Sequence, residues 1–358
     1  MKEKIEKVKD MLEREHNIYK RYVLSNLYMT LYSFLDEKEK VEEKKFLEKA
    51  SFVLNTSDFY DFLKNDGEIF ISFANKIDDR FKKANFKNYQ LFPLNKVNLK
   101  EAKEIVSLIL DDMNIDNKDK LYDFDTIDFR DLGDYEGACI NTFGLFDDNI
   151  FLNENIDKMV TFVKDLVHEI GHNYENKFMQ PMSIVQQANR YYFCFGEVMS
   201  TFFERVSLDY LIRNHIYLDD AHRDLNNYYY MLEDRLACLN DICSISHLDT
   251  LIYDEFNIMC TSELFYDEFK NGKIELYSLN YSECINYGYG ALLGEYFFDI
   301  YRKDKKEGLK RLRDFLANQG ILDERQMLDS INFKENNFSF LDKGLKENLA
   351  YMKKRYKW

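Results

Sequence analysis

The stretch Val167-His168-Glu169-Ile170-Gly171-His172 decides how this chain is read. In a helix, side chains four positions apart lie one above the other on a single face. His168 and His172 therefore present two imidazole nitrogens to one point, where a metal ion can accept both. Glu169 lies about 100° further round the helix, close enough to hold a water at that metal without being a ligand itself. H-E-x-x-H on a helix is the zinc-hydrolase pattern, with the Glu as general base. The chain has only 6 histidines in 358 residues, so two of them at this spacing around a Glu are not what a random scatter gives. The plainer alternative is a helix whose histidines merely pack or face solvent, and the flanking sequence argues against it.

Upstream, Ile156, Val160, Val163, Val167 and Ile170 recur at three- and four-residue spacing, and Asn155 or Asp157 stands where an N-cap is needed. No Pro or Gly interrupts this run before Gly171. A helical Gly costs about 1 kcal/mol against Ala, so Gly171 points to close approach of another backbone. Catalytic zinc takes three protein ligands and keeps one position open. No third histidine follows at once, because the chain continues Asn173-Tyr174-Glu175-Asn176-Lys177. The third ligand is expected to be a carboxylate on a later helix. Glu197 and Glu204, seven apart and hence on one helical face, lie among Tyr191, Tyr192, Phe193, Phe195, Val198, Phe202 and Phe203. A carboxylate on an apolar face is expensive unless paired or metal-bound. The reading is Zn2+, one per chain, held by His168, His172 and Glu197, with Glu204 accepting the other N–H of a ligand histidine.

These residues resemble the M3 zinc metallopeptidases, the gluzincin family of oligoendopeptidase F and thimet oligopeptidase. The resemblance rests first on His168-Glu-Ile-Gly-His172, Glu197 downstream, Ser200 and Glu204. It extends to Tyr89-Gln-Leu-Phe-Pro93, Leu99 to Val106, Gly137-Ala138-Cys139, Asn149-Ile-Phe-Leu-Asn153, Asp249 to Phe256, and Tyr287-Gly288-Tyr289-Gly290 entering a helix. Together these span roughly residues 89 to 320. The resemblance implies a zincin-like, mainly α fold with a small β element beside the H-E-x-x-H helix, and endopeptidase activity on oligopeptides. It also implies Tyr289 as donor to the developing oxyanion, with Tyr287 or Tyr281 as stand-ins, and Gly137 and Ala138 beside the substrate. The chain departs from the family in a shortened N-terminal half and in Tyr277, which stands where the family has a His. It departs again in Ser282 at a Tyr position, and around His247 and Asp249 where the family has Arg-Gln.

Composition agrees with a helical protein. Pro is rare (2) and Gly modest (13), while 46% hydrophobic residues supply a large core. The net charge of −15 speaks against nucleic acid, since phosphate binding needs basic patches. The first residues carry mixed charge and lead into no apolar run, and Val23 to Leu35 is too short to span a bilayer. The 6 cysteines form no C-x-x-C pair and read as reduced residues of a cytoplasmic protein. Residues 1–95 read as a helical lobe of charged amphipathic segments, and 96–358 as the catalytic region, with Asn98 capping a helix over 99–113. Between about 121 and 154 the alternation around Thr126, Ala138 and Asn149 predicts short strands. The competing expectation is a catalytically impaired zinc-containing protein that binds peptides in its cleft.

Overall fold

A computed structural model describes residues 2–16, 95–115, 127–130, 138–141, 149–153, 155–179, 195–244, 281–319, 324–331 and 339–356, with residue 124 and single positions between 24 and 46. The described chain is mainly helical. Near the N-terminus, helix α1 (Lys2–Arg14) buries Ile5, Val8 and Leu12, the three- and four-residue repeat of a one-sided helix. Leu24, Tyr28, Leu31 and Leu35 are buried at similar intervals. Most of the rest of the expected 1–95 lobe lies outside the described residues.

Helix α2 (Leu99–Asp112) starts at Asn98, whose side chain accepts the Glu101 N–H at 3.3 Å, and it buries Ala102, Ile105, Val106, Ile109 and Leu110. Just before it, Val97 N–H donates to the Asp157 carbonyl at 3.0 Å, and Met159 N–H donates to the Asn95 carbonyl at 2.8 Å. Asn95 is itself held by Asp220, with its side-chain amide 2.7 Å from Oδ2. This pairing starts helix α3 (Met159–Met179) two residues past Asp157, the later of the two caps expected from sequence, and gives its first N–H a backbone acceptor.

Three short strands precede α3: β1 (Asp128–Arg130), β2 (Ala138–Asn141) and β3 (Asn149–Asn153), in spatial order β1-β3-β2. β1 runs parallel to β3 and β2 antiparallel to it, with Phe129 opposite Leu152 and Ala138 also opposite Leu152. Ile150 and Leu152, two apart and thus on one face, are buried, and Phe129 stacks on Phe162 of α3. The sheet so lies against the helix that carries the H-E-x-x-H residues. Thr126 falls outside the described residues.

The centre of the fold is helix α4 (Val198–Arg213), buried almost all round. Such a helix needs neighbours on every side, and α4 has them: α3, α2, helix α5 (Leu218–Ser244) and helix α6 (Tyr281–Lys303). Helices α7 (Lys305–Leu316), α8 (Glu324–Ser330) and α9 (Ser339–Tyr356) complete the described chain, with α7 and α9 packed on α6. A wholly buried ion pair, Arg205 Nε to Glu295 Oε1 at 2.9 Å, joins α4 to α6, and Asn348 of α9 donates to Glu295 Oε2 at 2.7 Å. The Arg205 guanidinium also covers the Phe298 ring at 4.0 Å. Among the described residues, no helix is long and apolar enough to cross a membrane.

Candidate metal centre

His168 and His172 rise from consecutive turns of α3, their rings 5.1 Å apart and edge-on. Across from them, the turn that leads into α4 carries Glu197 at the position before the first helical residue. Both rings address the same oxygen: His168 Nε2 lies 3.3 Å, and His172 Nε2 3.4 Å, from Glu197 Oε2. The ligand atoms of the three residues all fall within 4.8 Å of one another, so the group is able to hold a metal ion. Sequence periodicity places Glu197 inside a helix, whereas the structure puts it one residue ahead of α4. Ser200 fixes it there, its hydroxyl donating to Glu197 Oε2 at 2.8 Å. Glu204, two turns along α4 from that end, meets the other nitrogen of His168, with Nδ1 to Oε2 at 3.2 Å. An Nδ1–H given to this carboxylate leaves Nε2 with its lone pair, the tautomer a metal ligand needs.

Two glycines allow these elements to approach. A Cβ on Gly171 would come within 2.8 Å of Ser200 Cα and 3.2 Å of the Met199 carbonyl oxygen, so α3 and α4 touch backbone to backbone beside the site. A Cβ on Gly290 of α6 would come within 2.7 Å of Glu197 Cβ. Glu197 is thus enclosed from behind by α6 while its carboxylate faces the histidines.

The buried charges explain the titration behaviour. Burial alone would raise Glu197 and lower His168. The charge and hydrogen bonds of the two histidines instead hold Glu197 well below the usual carboxylate range. Hydrogen bonds to Glu197 and Glu204, with the charge of Glu169, lift His168 well above an ordinary histidine. Without an ion the cluster stabilises a proton where a dication would sit, so metal uptake displaces protons. Glu169 is 5% exposed, and burial pushes its carboxyl up to about 8, with Glu197, Asp165 and Glu204 adding to the rise against His168.

No family model, curated protein or solved structure matches the chain.

Tyr287 and Tyr289 lie on α6, which runs unbroken from Tyr281 rather than forming a loop that enters a helix. Tyr287 is half-buried. Tyr289 is 1% exposed with its ring 5.2 Å from that of Phe195. Ala138 opens β2, an edge of the described sheet, and Gly137 lies outside the described residues, as do Tyr277, His247 and Asp249. Sequence reasoning missed a polar group behind His168: Lys164 and Asp165 of α3 with Asp224 of α5, 6% exposed, which accepts the Thr161 hydroxyl at 3.0 Å. One signal was available, since Lys164 stands four residues before His168 on the same helical face.

Proposed function

We propose that the chain is a zinc-dependent endopeptidase that hydrolyses peptide bonds in short unstructured oligopeptides, on a zincin-like framework. The observation that carries the proposal is the convergence of two imidazole nitrogens on one carboxylate oxygen of the half-buried Glu197, with Glu169 beside them. Zinc bonds such donors at about 2.0–2.2 Å, which sets the corners of its tetrahedron about 3.4 Å apart. The spacings of 3.3 and 3.4 Å agree with that figure. Two imidazoles and a carboxylate also suit zinc better than magnesium or calcium, which favour oxygen alone.

Zinc, when bound, supplies Lewis acidity that acidifies water and polarises a peptide carbonyl. The protein's own groups do the rest. Burial lifts the Glu169 carboxyl to about 8, and a neighbouring dication would favour its ionised form, the form that takes a proton. It accepts the proton of the attacking water and passes it to the leaving amine nitrogen. Glu204 holds the His168 ring by Nδ1. Tyr289 or Tyr287 of α6 donates to the developing oxyanion. The β2 edge, with Gly137 and Ala138, offers main-chain groups to an extended peptide. The preference for oligopeptides comes from the resemblance of the motifs to the M3 peptidases.

The test is cleavage of a mixture of short unstructured peptides, read by mass spectrometry. Internal cuts that stop with a chelator and return with zinc support the proposal. A zinc-loaded protein that makes no cuts refutes it and leaves a zinc-containing peptide-binding protein.

A further inference from the structure

Lys164 stands one turn before His168 on α3, and its charge is directed inward. Its ammonium lies 3.2 Å from Asp165 Oδ1 and 3.5 Å from Glu204 Oε1, and the side chain is only 20% exposed. Glu204 uses its two oxygens differently: Oε1 faces Lys164, and Oε2 faces His168 Nδ1 at 3.2 Å. Lys164, Glu204 and His168 therefore form a continuous polar chain that leaves α3, crosses to α4 and returns to α3 at the imidazole whose Nε2 faces Glu197. Asp224 of α5, anchored by the Thr161 hydroxyl at 3.0 Å, adds its charge to the field around Lys164.

A lysine on a helix face ordinarily extends into water, and one buried among carboxylates gains nothing over an apolar residue unless its charge is used. Asp165, Glu204 and Asp224 surround this one, and the chain it begins ends at a ligand nitrogen. Without a cation beside it, Glu204 has two equivalent oxygens to offer His168 Nδ1. The ammonium, 3.2 Å from Asp165 Oδ1, stands 3.5 Å from Oε1 and attracts that oxygen by its charge, which favours Oε2 on the His168 side.

We propose that Lys164 is a positioning residue for the metal centre. By holding Glu204 through Oε1 it presents Oε2 to His168 Nδ1–H, which fixes the ring and keeps the Nε2 lone pair open to the metal. The inference rests on the zinc reading of His168, His172 and Glu197, and its test separates the two.

Zinc affinity of the full chain, measured by competition with a coloured chelator, is compared among wild type, Lys164→Met, Lys164→Arg and Glu204→Gln. The visible spectrum of the cobalt-loaded proteins is recorded alongside. Lys164→Met should weaken zinc by about 10- to 100-fold, the usual cost of losing a partner behind a ligand histidine, and should alter the cobalt bands. Lys164→Arg should restore both. In the Lys164→Met/Glu204→Gln double variant the losses should not add, because both act through one contact. Wild-type affinity and spectrum in Lys164→Met, or fully additive losses, would overturn the role of Lys164 while leaving the metal centre standing. A wild-type chain that takes up no zinc would overturn both. If Lys164→Met does not fold, Lys164→Gln serves in its place, and zinc binding there equal to wild type is the contradicting result.

Discussion

Replacing Gly171 with alanine sets two known quantities against each other. An alanine inside a helix is worth about 1 kcal/mol over glycine, so at a free helical position the variant gains stability. Here the added methyl would stand 2.8 Å from Ser200 Cα and 3.2 Å from both the Met199 carbonyl oxygen and Phe203 Cβ. Carbon atoms pack at about 3.5 Å or more, and the nearest two neighbours are backbone, which no rotamer change moves. Relief needs α3 and α4 to part by about 0.7 Å. Overpacking of this kind costs about 1–3 kcal/mol, so the net effect is a loss of up to about 2 kcal/mol. The same displacement moves Glu197, three residues before Ser200, away from the histidines. A shift of about 0.7 Å exceeds the roughly 0.5 Å within which a site keeps its geometry. Gly171→Ala should thus lower the thermal midpoint by a few degrees and weaken zinc by about tenfold or more. Calorimetry and a chelator competition read the two effects. A variant that is more stable than wild type and binds zinc equally well would refute the close-packing argument.

Other outcomes follow from single contacts. Glu197→Ala should abolish stoichiometric zinc, measured by mass spectrometry of the metal; retained stoichiometric metal would remove Glu197 from the ligand set. Arg205→Met leaves Glu295 buried without its cation, and breaking such a pair from one side costs about 3–5 kcal/mol; urea unfolding should show it, and a loss below about 1 kcal/mol would contradict it. Burial lifts Asp224 to about 6, against 3.8 for an ordinary aspartate. The folded chain therefore keeps a proton that the unfolded chain has already released, and stability falls as pH rises from about 4 to about 6, by on the order of 2–3 kcal/mol. Asp224→Asn should flatten this part of the metal-free stability profile, and an unchanged slope would show that Asp224 is not its source.

What the sequence carried and what it withheld have physical causes. His168, Glu169 and His172 are related by helical spacing alone, so their arrangement needs no knowledge of the tertiary fold. Gly171 was legible for the same reason, as a residue whose helical cost demanded a close neighbour. The Asn98 cap and the strand Asn149–Asn153 are likewise local patterns. Glu197 and Glu204 stood out because apolar neighbours made them costly, yet the turn before α4 could not be read from a continuous apolar run. The resemblance implied a loop at Tyr287–Gly290 entering a helix, and a glycine in a helix costs about 1 kcal/mol, yet α6 runs through these residues. The packing of Gly290 on Glu197 outweighs that local preference. Asp220 and Asp224 carried no local signal, because their partners Asn95 and Thr161 lie 125 and 63 positions away in the chain. The Arg205–Glu295 pair joins residues 90 positions apart, a relation that no local period records.

The most direct test of the account is Glu169→Gln, a change that keeps the shape of the side chain and removes its ability to take a proton. Metal content and peptide cleavage are measured on the same preparation beside wild type. The account predicts one zinc per chain in both proteins and cleavage in the wild type alone. A zinc-loaded Glu169→Gln that cleaves peptides at the wild-type rate would contradict it.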